Sequence, residues 1–174
     1  MLSLISNQSK ISKLIRKGFM QISDLLDRKL ISLELKSTTK WEAISELTEI
    51  LFINKRIATK ELFLKAVKKR EEQVSTGVGL GIAIPHGISD SVILPSIAFG
   101  RSERGVKYDS IDQNPVNLLF LLAIPETYGT NQYMRTLANL ARLLVHDSIK
   151  KSLLRAASPE EILEILNSKS TYAH

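Results

Sequence analysis

Residues 116–124 read VNLLFLLAI, and every position but Asn117 is apolar. A strand with one face in water alternates apolar and polar residues. An unbroken apolar run between turn signals marks a strand covered on both faces. The turn residues are present, YDSIDQNP (108–115) before the run and PETYGT (125–130) after it. Residues 116–124 are therefore expected to be the central strand of a sheet.

Working outward, GIAIPH (81–86) and PSIAFGR (95–101) are short apolar runs that read as further strands. Helices flank them in sequence. TKWEAISELTEILFI (39–53) opens with Thr39 and Glu42, the spacing of a capping box, and sets Trp41, Ile44, Leu47 and Leu51 on one face. TKELFLKAVKKREE (59–72) has Thr59 as cap and Leu62, Phe63, Ala66 and Val67 inward. A long helix fits 131–145, with Met134, Leu137, Leu140, Ala141 and Leu144 on one side. Two short helices follow. Ser158, Pro159 and Glu161 announce the last as cap, first helical proline and N3 glutamate. Helices, strands, then helices around a buried strand describe an α/β fold, or α+β sandwich.

The chain has 174 residues, enough for one domain with a short appendage. Residues 1–19 carry Lys10, Lys13, Arg16 and Lys17 and no acidic residue, which reads as a basic N-terminal extension. It has no apolar core of the kind a secretory signal needs. No apolar run is long enough to span a membrane. The absence of cysteine excludes disulfides, iron–sulfur clusters and thiolate zinc sites, and fits a reducing compartment. A net charge of +6 suits an acidic or phosphorylated partner. With 6% aromatic residues and no helix-turn-helix or RNP-like signature, nucleic acid is not expected.

The segment STGVGLGIAIPHGISDS (75–91) concentrates the chemistry. Its glycines run Gly-Val-Gly-Leu-Gly, not G-x-G-x-x-G, and lead from a helix into a strand, the reverse of the dinucleotide order. No glycine is followed by Lys-Ser/Thr, so there is no P-loop, and no G-x-S-x-G elbow offers a serine nucleophile. The three histidines, His86, His146 and His174, stand far apart, and no carboxylates cluster at metal-ligand spacing, so neither metal nor cofactor is expected.

His86 remains. Imidazole is nucleophilic at neutral pH and can carry a group reversibly. A phosphoryl-accepting histidine needs a fixed ring with one nitrogen free, donors or a cation for the incoming dianion, and an open approach. Pro85 fixes the local φ, Gly87 leaves room, Ser75 and Thr76 offer hydroxyls, and Arg70 offers a guanidinium that matches phosphate. Spacing alone leaves two possibilities open, because a lone histidine at a strand end is more often packing than chemistry.

REEQVSTGVGLGIAIPHG (70–87) resembles the active-site signature of the type-2 enzyme IIA domains of the bacterial phosphotransferase system, the fructose, mannitol and nitrogen-regulatory branch. The match runs through Glu71, Val78-Gly79 and Ile82-Ala83-Ile84-Pro85-His86-Gly87. ISDLLDRKLISLELKSTTKWEAISEL, GVKYDSIDQNPVNLLFLLAIPE and LARLLVHDSIKKSLLRAASPEEILEIL are similar to that family's opening, central strand and closing helices. The resemblance covers residues 20–168 and leaves 169–174 as a C-terminal tail. It implies a mixed sheet of about five strands with helices on both faces. It implies a phosphotransferase component in the cytoplasm, without a cofactor. His86 would accept phosphate from the phosphocarrier HPr or a nitrogen-branch counterpart. Arg70 matches the family's active-site arginine, and Glu71 the motif's polar position. Tyr133, in QYMRTL, stands where the family has a second histidine, and reads either as a site residue or as a helix residue packed on the core.

Three functions follow from the resemblance. In the first, favoured by the similarity of RSERGVKYDSIDQNPV and AIPE to the fructose type, His86 passes phosphate to an enzyme IIB domain. In the second, phosphorylation of His86 switches binding to a regulatory target by adding negative charge. The third is a scaffold that no longer takes phosphate, which only Tyr133 favours.

Overall fold

A computed structural model describes residues 21–170. The basic extension assigned to 1–19, and residues 171–174 of the tail, lie outside the described residues. In chain order the elements are α1 (Ile22–Leu25), a 3-10 turn (Arg28–Leu30), β1 (Ile31–Ser32), α2 (Lys40–Ile53) and α3 (Lys60–Glu71). Then come β2 (Gly77–Gly79), β3 (Ile82–Ala83), β4 (His86–Ser89), β5 (Ser96–Val106) and β6 (Val116–Pro125). The helices α4 (Thr130–Leu144), α5 (Asp147–Arg155) and α6 (Pro159–Ser170) close the fold, the last running two residues into the expected tail.

β6 is the central strand its composition demands. It pairs antiparallel with β5 on one side and parallel with β3 and β4 on the other. The sheet order is β1-β5-β6-β3-β2, with β4 also on β6. Ile82 opposes Leu118 and His86 opposes Leu122, so β3 and β4 keep one register along β6. The break falls at Ile84-Pro85, where proline has no N–H for the ladder. Counted as one interrupted strand, they give the five expected; counted apart, the sheet has six.

Strand periodicity sorts the side chains into two cores. Leu118, Phe120, Leu122 and Ile124 join Ile82, Ile84, Ile97 and Phe99 against α1, α4, α5 and α6. Leu119, Leu121 and Ala123 join Ala83 and Ala98 against α2 and α3. Both faces are thus sealed, which is why 116–124 carries almost no polar residue.

The helices form where expected, with corrections in detail. Thr39 makes no side-chain cap, and it pairs with Lys107 in an isolated parallel bridge beside the end of β5, the amide of Lys40 donating to the carbonyl of Lys107 at 3.1 Å. Thr59 also makes no side-chain cap. Trp41 is 40% exposed, because the buried stripe of α2 runs through Ala43, Ile44, Leu47, Thr48 and Leu51. Leu62 is exposed beside the buried Phe63. On α4 the inward face is Tyr133, Thr136, Leu140, Leu143 and Leu144, with Leu137 only partly buried. Turning Tyr133 inward rotates its neighbour Met134 outward to 55% exposure, and Ala141 is exposed as well. The cap of α6 is as expected: Ser158 Oγ accepts from Glu161 N–H at 3.2 Å, and Glu161 accepts from Ala157 N–H at 2.9 Å.

Candidate active site

The glycines build a turn. Gly79, Leu80 and Gly81 have φ of +88°, +58° and +76°, the left-handed region that glycine enters without steric cost. The β2–β3 hairpin this closes leads straight into Ile84, Pro85 and His86. Because the register survives the proline, His86 points to the same face as Ile82 and Ile84, toward α4. Gly87 points to the other face, against α3. A Cβ there would stand 2.9 Å from Val67 Cγ2 and 3.0 Å from the Val67 nitrogen. The room at Gly87 is therefore filled by α3, and is not an approach for a partner as the sequence suggested.

His86 is 4% exposed. Its Nδ1 lies 2.9 Å from the carbonyl oxygen of Ile84. A carbonyl only accepts, so Nδ1 carries the proton and Nε2 holds a free lone pair. Nε2 is buried and has no hydrogen-bond partner. The free nitrogen is thus enclosed, where an exposed one was expected. The ring's pKa is lowered, first by burial and also by the nearby charge of Arg70, against the opposing Ile84 bond and the charge of Glu71. Burial thus favours the neutral ring, the form in which an imidazole is nucleophilic.

Tyr133 comes from the first turn of α4, 9% exposed, its ring centroid 5.5 Å from that of His86 at 50°. It packs on the core, as one of its two readings expected, with its ring beside that of His86. Burial raises its pKa, while the charge and hydrogen bonding of Arg70 oppose that rise. Arg70, in the last turn of α3, donates from Nη1 to the carbonyl of Val74 at 3.0 Å. One cation therefore stands near both rings.

Ser75, Thr76 and Glu71 are arranged differently from the expectation. The Thr76 hydroxyl donates to Glu71 Oε2 at 2.7 Å and lies 2.8 Å from the Tyr108 hydroxyl. The Ser75 hydroxyl lies 3.4 Å from Glu71 Oε1 and accepts from Gly77 N–H at 3.2 Å. Both hydroxyls are engaged with Glu71 rather than held out for a dianion. Glu71 is buried, its Oε1 3.4 Å from Lys40 Nζ, which also bonds Asp109 at 2.8 Å. Lys40 and Tyr108 were not anticipated. They lie more than thirty positions from Glu71 or Thr76, and no local pattern joins them.

Among the described residues no helix is long and apolar enough to cross a membrane, and no three His, Asp or Glu side chains cluster to hold a metal ion.

Comparison with known proteins agrees with this arrangement. Residues 24–169 match the family model described as phosphoenolpyruvate-dependent sugar phosphotransferase system, EIIA 2. The chain is 40% identical over 148 residues to a PTS system fructose-specific EIIABC component of Bacillus subtilis, covering 85% of this chain but 23% of that longer protein. It is 36% identical to a fructose-specific EIIA component of Haloferax volcanii, covering 83% of this chain and 94% of that one. Among solved structures, the nitrogen regulatory protein IIA-Ntr of Neisseria meningitidis superposes with a TM-score of 0.77 at 32% identity, covering 83% of this chain and 98% of that one. The mannitol enzyme IIA of Escherichia coli, solved in complex with phosphorylated enzyme IIB, gives 0.70 at 25% identity, covering 83% and 99%. The sealed mixed sheet, the histidine at the broken strand and the family match agree: this chain belongs to the EIIA 2 family of the phosphoenolpyruvate-dependent sugar phosphotransferase system, and is a phosphotransferase component of it.

Proposed function

We propose that His86 is the phosphoryl acceptor and that Nε2 is the atom that takes the group. The observation that carries this is the asymmetry of the ring: Nδ1 is fixed on the Ile84 carbonyl, and Nε2 is left with no partner. In an in-line displacement the Nε2 lone pair forms the N–P bond while the donor's phosphoryl-bearing atom leaves with its electron pair. The product imidazolium-like ring keeps its Nδ1 proton, and the Ile84 carbonyl stabilises it. Arg70, placed near His86 and Tyr133, supplies positive charge as the phosphoryl oxygens arrive. Tyr133 can donate a hydrogen bond to those oxygens but cannot shuttle a proton as a histidine would. Since Nε2 is enclosed, transfer requires the side chains around it to move aside when the donor docks.

The donor would be phospho-HPr, or a nitrogen-branch counterpart, in the cytoplasm. The receiver would be an enzyme IIB domain, fructose-type by the similarity to the two fructose-specific proteins. The complex of the mannitol relative with phosphorylated IIB supports a IIB domain as the partner class. A second reading, a regulator whose target binding is switched by phosphate on His86, is favoured by the likeness to the Neisseria nitrogen regulatory protein.

The test is to mix the protein with phosphoenolpyruvate, enzyme I and HPr and follow acid-labile phosphate. Label on the wild type and none on His86→Gln is the expected result; no label on the wild type overturns the proposal. Onward transfer to a IIB domain selects transport over regulation.

A further inference from the structure

Behind the histidine segment lies a buried polar cluster that the acceptor chemistry does not use directly. Its centre is Glu71, the last residue of α3, whose side chain is 2% exposed. A carboxylate removed from water costs several kcal/mol unless its oxygens are met. They are met here. Lys40 Nζ stands 3.4 Å from Oε1, Thr76 N–H donates to Oε1 at 3.0 Å, and the Thr76 hydroxyl donates to Oε2 at 2.7 Å. Because that hydroxyl spends its proton on Glu71, the Tyr108 hydroxyl 2.8 Å away must donate to it. Burial and the charge of Glu71 raise the pKa of Tyr108, which keeps it a protonated donor.

None of these groups hydrogen-bonds the His86 ring. The connection runs through main chain. The carbonyl of Thr76 accepts from Ile84 N–H at 3.0 Å. The carbonyl of the same Ile84 is the group on His86 Nδ1. Glu71 therefore holds Thr76 at both its amide and its hydroxyl, Thr76 holds Ile84, and Ile84 holds the imidazole. These bonds bridge the interruption between β3 and β4, where Pro85 removes a ladder donor.

We infer that Glu71, charge-balanced by Lys40 and braced by Tyr108, is a positioning residue for the phosphoryl acceptor. Acting through Thr76 and Ile84, it fixes the tautomer that leaves Nε2 bare. The inference rests on the acceptor role proposed for His86. Its test does not, because the tautomer is read on the unphosphorylated protein.

The full chain is labelled with 15N-histidine, and long-range proton–nitrogen correlation at pH 7.5 reports which ring nitrogen of His86 carries the proton. The wild type is expected to hold a single tautomer, protonated at Nδ1. Thr76→Val removes the hydroxyl at nearly constant volume, and Glu71→Gln removes the charge and reverses the hydroxyl's partner. Both are expected to mix the two tautomers. Both should also slow labelling by phospho-HPr about tenfold, the scale of one charged hydrogen bond. Thr76→Ser, which keeps the hydroxyl, should retain the wild-type tautomer and a rate within about twofold. If Glu71→Gln fails to fold, the Thr76 pair decides alone. A single Nδ1 tautomer and wild-type rate in folded Thr76→Val would overturn the inference and leave the cluster a purely stabilising one. A wild-type proton on Nε2 would overturn it as well. A wild type with the expected tautomer that takes no phosphate leaves the positioning intact and removes the acceptor role.

Discussion

Two partly or fully buried polar side chains on this sheet are treated in opposite ways. Arg101, on β5, has its Nε and Nη1 engaged by main-chain carbonyls. Its Nε donates to the carbonyl of Leu33 at 3.0 Å, and its Nη1 reaches the carbonyls of Leu153 and Leu154 at 3.1 Å and of Ala156 at 2.7 Å. The last three belong to the C-terminal end of α5, whose final carbonyls have no helical partner and where a cation is favoured. One guanidinium thus ties the segment after β1 to the end of α5. His86, on β4, is tied at Nδ1 and left empty at Nε2. A buried polar atom without a partner costs roughly 1–3 kcal/mol. The contrast teaches that Arg101 is spent on stability, whereas His86 keeps a buried ring nitrogen unpaired, as the acceptor role proposed for it would need. Among the described residues only Ser110 Oγ is likewise buried without a partner, and such an exception calls for an explanation, which the proposed acceptor role gives for His86.

The comparison can be broken most decisively at His86. His86→Gln should reduce phosphate labelling to background while the melting temperature stays within about 5 °C of wild type. A cooperative unfolding loss instead would make His86 a packing residue. Arg101→Met is the mirror experiment. It strips four carbonyls of their donor and should cost on the order of 3 kcal/mol, read as a fall of roughly 10 °C in melting temperature. Labelling of the folded fraction should remain as in the wild type. Next in size is Arg70→Ala, expected to slow labelling by roughly tenfold or more, with little change in melting because Arg70 is half-exposed and holds one carbonyl. An unchanged rate would remove Arg70 from the site. Tyr133→Phe deletes only the hydroxyl and should slow labelling by about threefold, whereas Tyr133→His offers a second titrating ring and should change the pH dependence of the rate.

The smallest effect is in pH. Burial holds the His86 pKa below its ordinary value, so the unfolded chain binds a proton more readily than the folded one. That contribution is fully present above the unfolded pKa of about 6.5 and is lost as pH falls through the depressed folded value. Denaturant midpoints compared at pH 7.5 and pH 5 should show a loss that is smaller in His86→Gln. Equal losses in both proteins would mean that His86 is not a proton-linked group.

Much of this was legible along the chain. The unbroken apolar run of β6 announced a strand covered on both faces, and Ser158, Pro159 and Glu161 announced α6. These signals are local, arising from the periodicity of one element or the hydrogen bonds of one turn. Thr39 shows where local signals fail. Its capping spacing is present, but its side chain makes no cap, and Thr39 is instead drawn into a bridge with the distant Lys107. Trp41 and Met134 fail similarly, because a helix's buried face is set by what it packs against, and apolar residues beside the stripe look the same in sequence.

The candidate site divides along the same line. His86 and Arg70 stood out in one short segment, and the family resemblance rested on it. Its order of apolar residues and proline by itself determined a short strand over 81–86 that reaches His86, which the structure interrupts at Ile84-Pro85 and resumes at His86. Only the tertiary structure decided which nitrogen of that ring is held and which is free, that Gly87 makes room for α3, and that Glu71 is met by Lys40 and Thr76 in turn by Tyr108. The physical reason is range. Backbone preference and amphipathic period act over a few residues, whereas the desolvation of a buried charge is answered by whatever group the fold brings within about 3 Å, however far away in sequence.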